Sequence, residues 1–155
     1  MKKNNKNLFF ILDVDGVLTS GQFIYSERGK VQKIFGAHDS DGLDLIKNHL
    51  KILFISSDKR GFKISSKRVK DMGFKLYYVA NQQRFKFVEK YNFQDVIFMG
   101  DGVYDAEIIK NSKYGIAPRN AVNEAKKKAD YITKRNGGDG AVYEACLHLL
   151  RKIIK

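Results

Sequence analysis

The chain has 155 residues, 43% hydrophobic and 30% charged, which is the length and balance of one ordinary domain with room for a real core. No apolar run approaches the roughly eighteen residues of a membrane span, and a single cysteine, Cys146, rules out an intrachain disulfide and fits a reducing cytoplasm. The net charge of +12 is spread over helices and loops apart from Lys126-Lys127-Lys128; it reads as a lysine-rich solvated surface that can steer anionic substrates, without a motif that reads nucleic acid.

The basic start Met1–Asn7 is followed by an apolar run that breaks at Asp13, too early for a secretion signal. Leu8–Val14 predicts a buried parallel strand ending in Asp13 and Asp15, with Gly16 after them. Alternation would point both carboxylates to one face, but the glycine signals that the chain has already begun to turn. Two acids at the carboxyl end of such a strand repel unless a cation or a shared proton compensates, so they imply a metal site or an acid/base pair; the plain alternative is a pair of turn or helix-cap aspartates.

Gln22–Tyr25 and Lys30–Phe35 then flank a four-residue turn, Ser26–Gly29, and predict a β-hairpin projecting beside the aspartates as a flap. A helix is predicted over Asp41–His49. The strand Ile52–Ser56 delivers Ser56 and Ser57 to the same edge ahead of a helix over Phe62–Met72; a hydroxyl and free amides there suit a phosphoryl oxygen, or simply make the turn that starts the helix. Leu76–Val79 reads as a strand and Arg84–Tyr91 as a helix.

The strand Val96–Gly100 runs into Asp101-Gly102-Val103-Tyr104-Asp105, so a second buried strand ends in acids. Asp101 and Asp105 can converge on one cation, and Mg2+ suits such an all-oxygen set; Asp105 alone would equally cap the helix predicted over Tyr104–Asn111. A strand over Tyr114–Ala117 and helices over Ala121–Lys128 and about Gly140–Ile154 complete the chain; in the last, Ala141, Val142, Ala145, Cys146, Leu149, Leu150 and Ile153 form one apolar face. Strands alternating with helices predict an α/β fold with a parallel sheet and right-handed crossovers. No linker or repeat interrupts it, so the reading is one domain over 1–155 with the flap at about 22–35.

Asp13-Val14-Asp15-Gly16-Val17, Ser56 and Gly100-Asp101-Gly102-Val103-Tyr104-Asp105 together resemble motifs I, II and IV of the haloacid dehalogenase (HAD) superfamily, in order and spacing. The short interval between motifs I and II resembles the capless branch: a three-layer Rossmann-like fold with a central parallel sheet and no separate cap domain. Within that branch, Leu18-Thr19-Ser20-Gly21, Phe35–Gly42, Ala129–Thr133 and Asn136–Val142 resemble the 3-deoxy-D-manno-octulosonate (KDO) 8-phosphate phosphatase group and its relatives acting on sialic-acid-like 9-phosphates.

The resemblance implies an Mg2+-dependent phosphatase working through an aspartyl phosphate. Asp13 would be the nucleophile and Asp15 the general acid/base. Asp13, the backbone carbonyl of Asp15, and Asp101 would hold the metal, with Asp105 ordering the site. Ser56 would bind a phosphoryl oxygen. The cation of motif III would be Arg84, which has the register, or Lys86, which has the usual residue type two positions away. It also implies a phosphorylated acidic keto-sugar as substrate and a homotetramer in which Phe23, Tyr25 and Phe35 pack between subunits and a neighbour's Gly137–Gly140 approaches the site. Asp58 and Tyr143 stand where the group often has arginine; His38 and Lys59 could replace those cations, or are simply solvent-exposed loop residues, the reading we favour. Rival readings are a non-catalytic oligomerisation module associated with a sugar cytidylyltransferase and, less favoured, a nucleic-acid end phosphatase.

Overall fold

The computed structural model describes residues 7–154; the basic segment before Asn7 and the side chain of Ile153 lie outside the described residues. Six parallel strands form the sheet. They are β1 (Phe9–Asp13), β4 (Lys51–Ser56), β5 (Lys75–Tyr78), β6 (Val96–Met99), β7 (Tyr114–Ala117) and β8 (Tyr131–Ile132), in the order β5-β4-β1-β6-β7-β8. The antiparallel strands β2 (Thr19–Ser26) and β3 (Gly29–Phe35) form a separate hairpin. Ser26 pairs with Gly29, so the turn holds only Glu27 and Arg28, tighter than the four residues expected, and the strands start earlier.

Period-two alternation divides the core. From β1, Phe10 and Leu12 face one side, where they pack with Leu43 and Ile46 of α1 (His38–Ile46), Val69 of α2 (Phe62–Asp71) and Val142, Ala145 and Leu149 of α6 (Ala141–Leu149). Ile11 faces the other side with Val88 of α3 (Arg84–Glu89), Ile108 and Ile109 of α4 (Ala106–Asn111) and Ala125 of α5 (Asn123–Lys128). The result is three layers, helix on sheet on helix. Among the described residues no separate cap domain stands over the sheet, and no helix is long and apolar enough to cross a membrane.

β1 lies at the point where the strand order reverses: later strands add through β4 on one side and through β6 on the other. In open α/β sheets the crevice at such a switch, outside the carboxyl ends of the strands, is where ligands bind. Asp13, Ser56 and the Gly100-Asp101 step all occupy that edge.

Two differences from the sequence reading have local causes. α1 begins at His38, three residues early, because Asp39 is drawn inside: its Oδ1 accepts from the Tyr143 amide in the first turn of α6. β8 was not anticipated because two residues, Tyr131 and Ile132, carry no periodicity to read.

Asp39 is fully buried, and burial raises its pKa to about 6 against the lowering effects of the Tyr143 amide, Arg68 and His38. A carboxyl raised in the folded state leaves the native chain holding more protons than the unfolded one, so stability falls as pH rises through about 4 to 6. Asp39→Asn is expected to flatten that window, equalling the parent near pH 4 and exceeding it by roughly 2–3 kcal/mol at pH 7.5. Urea midpoints of the two proteins across pH check this; parallel curves would show that Asp39 is not the group responsible.

Candidate active site

Asp13 is the last residue of β1 and follows Ile11 on the face toward α3 and α4, which explains what it meets. Arg84, the first residue of α3, is buried and gives Nη2 to Asp13 Oδ1 at 2.6 Å, while its Nη1 lies 3.4 Å from Asp105 Oδ1. Asp105 is fully buried before α4, and its Oδ2 accepts from the amides of Asp101 and Gly102, both at 3.0 Å.

Asp13, Asp101 and Asp105 each offer a carboxylate oxygen, and these oxygens all lie within 4.8 Å of one another. Gly16 makes room for this. Its φ is +85°, and a Cβ there would stand 1.9 Å from Asp101 Oδ2, so a side chain would strain the turn and displace the acid.

Three carboxylates around one guanidinium leave excess negative charge in a buried space. Burial, reinforced by Asp13 and Asp105, pushes the Asp101 carboxyl up to about 8. Burial and Asp13 raise Asp105 as well, against the pull of Arg84. Arg84 itself is driven well above its ordinary value by Asp13 and Asp105, which outweigh its burial. Asp105 Oδ1 is buried without a hydrogen-bond partner. A buried oxygen that accepts no hydrogen bond, in a set of three convergent hard-oxygen donors, fits a small divalent cation such as Mg2+.

Asp15 is not in that cluster. The chain leaves β1 at Asp13, and the Asp15 carboxylate turns to the hairpin, where Lys33 Nζ stands 2.7 Å from its Oδ1. The Asp15 side chain therefore takes no part in the acid cluster; the group that the resemblance implies as a metal ligand is its backbone carbonyl. Burial raises the Asp15 carboxyl while Lys33 opposes the shift.

Ser56 ends β4, fully buried, and its Oγ accepts from the Asp58 amide at 3.1 Å, so it does make the turn before α2. Accepting there still leaves its own hydroxyl proton free to donate. Lys86 is exposed and lines a groove of about 430 Å³ with Tyr78, Gln83, Phe87 and Lys90, away from the acids. The structure thus brings Asp13, Arg84, Asp101 and Asp105 together and leaves Lys86 outside.

Lys33 and Asn120 escaped the sequence reading, and Asp58 entered it only as a departure from the usual arginine. Lys33 is buried and bonds Asp15, Asp58 (2.8 Å) and Ser65 (2.7 Å). Asp58 is held down to about 2 by Lys30 and Lys33 despite its burial. Asn120 donates to the Gly16 carbonyl at 2.9 Å and accepts from the Gly137 amide at 2.6 Å, stitching the turn after β1 to the C-terminal segment. The chain's own Gly137 and Gly138 pack on Gly16, Thr19 and Ser20. His38 and Lys59 are both exposed, and Phe35 is half-buried against its own chain's core while Phe23 and Tyr25 stay exposed.

Known proteins resemble the chain in sequence and in fold. Residues 17–145 match the family described as haloacid dehalogenase-like hydrolase. The 3-deoxy-D-manno-octulosonate 8-phosphate phosphatase of Haemophilus influenzae is 26% identical over 93% of this chain and 83% of its own length. Its counterpart from Escherichia coli K12 is 28% identical over 90% and 77%. Among solved structures, a probable phosphatase of the YrbI family from Pseudomonas syringae superposes with a TM-score of 0.84 at 28% identity, covering 97% of this chain and 89% of that one. The Moraxella catarrhalis octulosonate 8-phosphate phosphatase, in complex with magnesium, phosphate and KDO, gives 0.83 at 26% identity, covering 97% and 90%.

Proposed function

The chain belongs to the haloacid dehalogenase-like hydrolases, and from that premise we propose that it is an Mg2+-dependent phosphatase for a phosphomonoester of an acidic keto-sugar, KDO 8-phosphate or a sialic-acid-like 9-phosphate. The observation that carries this reading is the convergence of Asp13, Asp101 and Asp105 on one point beside the buried Arg84, with Asp105 Oδ1 accepting no hydrogen bond. A fold alone needs no such set, which speaks against a non-catalytic module.

In this mechanism an Asp13 oxygen attacks phosphorus. The bond from phosphorus to the sugar oxygen breaks, its electron pair stays on that oxygen, and the oxygen takes the proton of Asp15. Asp15, now a carboxylate, takes a proton from water as the water oxygen attacks the aspartyl phosphate. The bond from phosphorus to Asp13 breaks, phosphate leaves, and both acids are regenerated. Arg84 balances charge on the transferring group and Ser56 donates to one of its oxygens. Asp13 and Asp101, with Asp105, would hold Mg2+, whose charge offsets the repulsion between carboxylates and phosphate. The raised pKa of Asp15 suits it to start as the acid.

Support for the sugar class is the similarity to octulosonate 8-phosphate phosphatases along most of the chain. Asp58 departs from the arginine usual there, but its charge is met by Lys30 and Lys33, so it does not stand as a bare anion facing a carboxylated sugar. The exposed Phe23, Ile24, Tyr25 and Ile34 of the hairpin support the homotetramer.

The test is phosphate release with Mg2+ from KDO 8-phosphate, nonulosonate 9-phosphates, a neutral hexose phosphate and a 3′-phosphorylated oligonucleotide. We expect at least about a 10-fold preference in kcat/KM for one acidic keto-sugar, a binding difference of about 1.4 kcal/mol in the transition state. Magnesium is also expected to raise the melting temperature, since it binds only the folded acids. Turnover of nothing by a folded protein that shows this shift would refute the enzyme and leave the oligomerisation module. Sedimentation of the same sample reads the assembly: a four-chain mass is expected, and a one-chain mass refutes the tetramer.

A further inference from the structure

We propose that Lys33 is the residue that positions Asp15 for proton transfer, which makes the hairpin a working part of the site rather than a cover for it; this rests on the phosphatase reading above.

Lys33 sits on β3, and its side chain has no exposure to solvent. Its ammonium carries three N–H donors and meets three acceptors: Asp15 Oδ1 at 2.7 Å, Asp58 Oδ2 at 2.8 Å and Ser65 Oγ at 2.7 Å. The hydrogen bond to Ser65 and the two ion pairs hold the nitrogen from three sides. Asp58 is fixed in turn, because its Oδ1 accepts from the Gly61 amide and its Oδ2 also meets Lys30 Nζ at 2.6 Å.

Asp15 depends on this anchor. It lies beyond the end of β1, in a turn whose next residue, Gly16, has a positive φ, so no strand pairing orients it. Among the described residues, Lys33 forms its only ion pair, at Oδ1, and neither carboxylate oxygen accepts a hydrogen bond, so this ion pair is what holds the group. Lys33 thus holds one oxygen of the carboxyl and leaves the other for the sugar oxygen or the water. It also draws the group away from Asp13, Asp101 and Asp105, where a fourth acid would add to their repulsion.

Fastening the hairpin alone would not require a buried ammonium. Lys30 already ties the hairpin to Asp58, packed 3.4 Å over the Phe23 ring, and taking a charge out of water is costly unless it is fully paired. What Lys33 adds to Lys30 is the contact with Asp15.

The leaving group separates the two roles. A sugar alkoxide needs a proton as it departs, whereas p-nitrophenolate leaves as a stable anion. Lys33→Met is expected to lower kcat/KM, which reports the steps up to leaving-group departure and not the later attack of water, about 100-fold on the preferred sugar phosphate and by less than about 3-fold on p-nitrophenyl phosphate. Lys30→Met, which loosens the hairpin but keeps Lys33 on Asp15, is expected to affect both esters alike. If Lys33→Met does not fold, Lys33→Gln, which keeps a donor without the charge, takes its place in the same comparison. Equal losses on both esters, or a selective loss in Lys30→Met, would overturn the proposal. Should the parent protein hydrolyse neither ester, the phosphatase reading fails separately; the crystal structure of the Lys33 variant then decides, with an unmoved Asp15 carboxylate refuting the positioning role and a displaced one upholding it.

Discussion

Asp13→Asn is expected to abolish phosphate release, by at least about 10⁴-fold in kcat, the scale seen when a covalent nucleophile is removed. An amide in that place keeps the shape and can still accept from Arg84, but it cannot form the aspartyl phosphate. The fold should survive. Asp13 is one of three carboxylates around a single buried guanidinium. Removing its charge lessens the repulsion that raises Asp101 and Asp105, and Arg84 keeps Asp105 as a counter-charge. In metal-free buffer the variant should therefore melt at or above the temperature of the parent. The stabilisation by Mg2+ should shrink, because one ligand has become neutral. Stopped activity with an intact or raised melting temperature identifies a nucleophile. Activity within about 10-fold of the parent would remove Asp13 from that role, and a large drop in melting temperature would mean that the carboxylate acts as a structural ion-pair partner.

The architecture was legible wherever side chains repeat along an element. In β1, Phe10 and Leu12 go to one helix layer and Ile11 to the other, and the same alternation carries Asp13 onto the face where α3 and α4 begin. The acids were legible because carboxylates ending two buried strands are hard to explain by packing alone. Register favoured Arg84 over Lys86, since position 84 begins α3 and position 86 lies on its outer surface. Lys33 was not legible. Its neighbours Val31 and Ile34 are apolar yet exposed, while the lysine among them is buried, the reverse of what residue type suggests. Only its long-range partners, Asp15, Asp58 and Ser65, explain the inversion, and no local pattern encodes them. Asn120 escaped for the same reason: its two bonds reach 104 residues back and 17 forward.

Arg84→Met is expected to lower kcat by about 10²–10³-fold, the cost of removing one donor aimed at developing charge. It should also destabilise the metal-free protein by roughly 3 kcal/mol, because Asp13 and Asp105 lose their buried counter-charge. Both effects come from geometry that lysine reproduces only in part. The guanidinium lies between two acids, 2.6 Å from Asp13 and 3.4 Å from Asp105, and its buried Nε has no partner among the described residues. A planar fork can hold both acids and still present N–H groups to a phosphoryl oxygen, whereas an ammonium is a point charge on a flexible stem. Arg84→Lys should therefore recover charge balance better than catalysis, with stability near the parent and kcat still about 10-fold down. The stability loss in Arg84→Met has a definite sign with pH. The acids repel only when ionised, and burial raises the Asp101 and Asp105 carboxyls, so the loss should be larger at pH 8 than at pH 5.5, where these two take up a proton more readily. Magnesium should restore much of it at pH 8 by supplying the missing positive charge. Lys86→Met, which only reshapes the outer groove, should leave kcat and stability within about 2-fold and 0.5 kcal/mol. Kinetics and urea unfolding on the three variants separate the two cations: full activity in Arg84→Met with a loss in Lys86→Met would move the charge-balancing role to Lys86 and require α3 to turn its outer face toward the substrate.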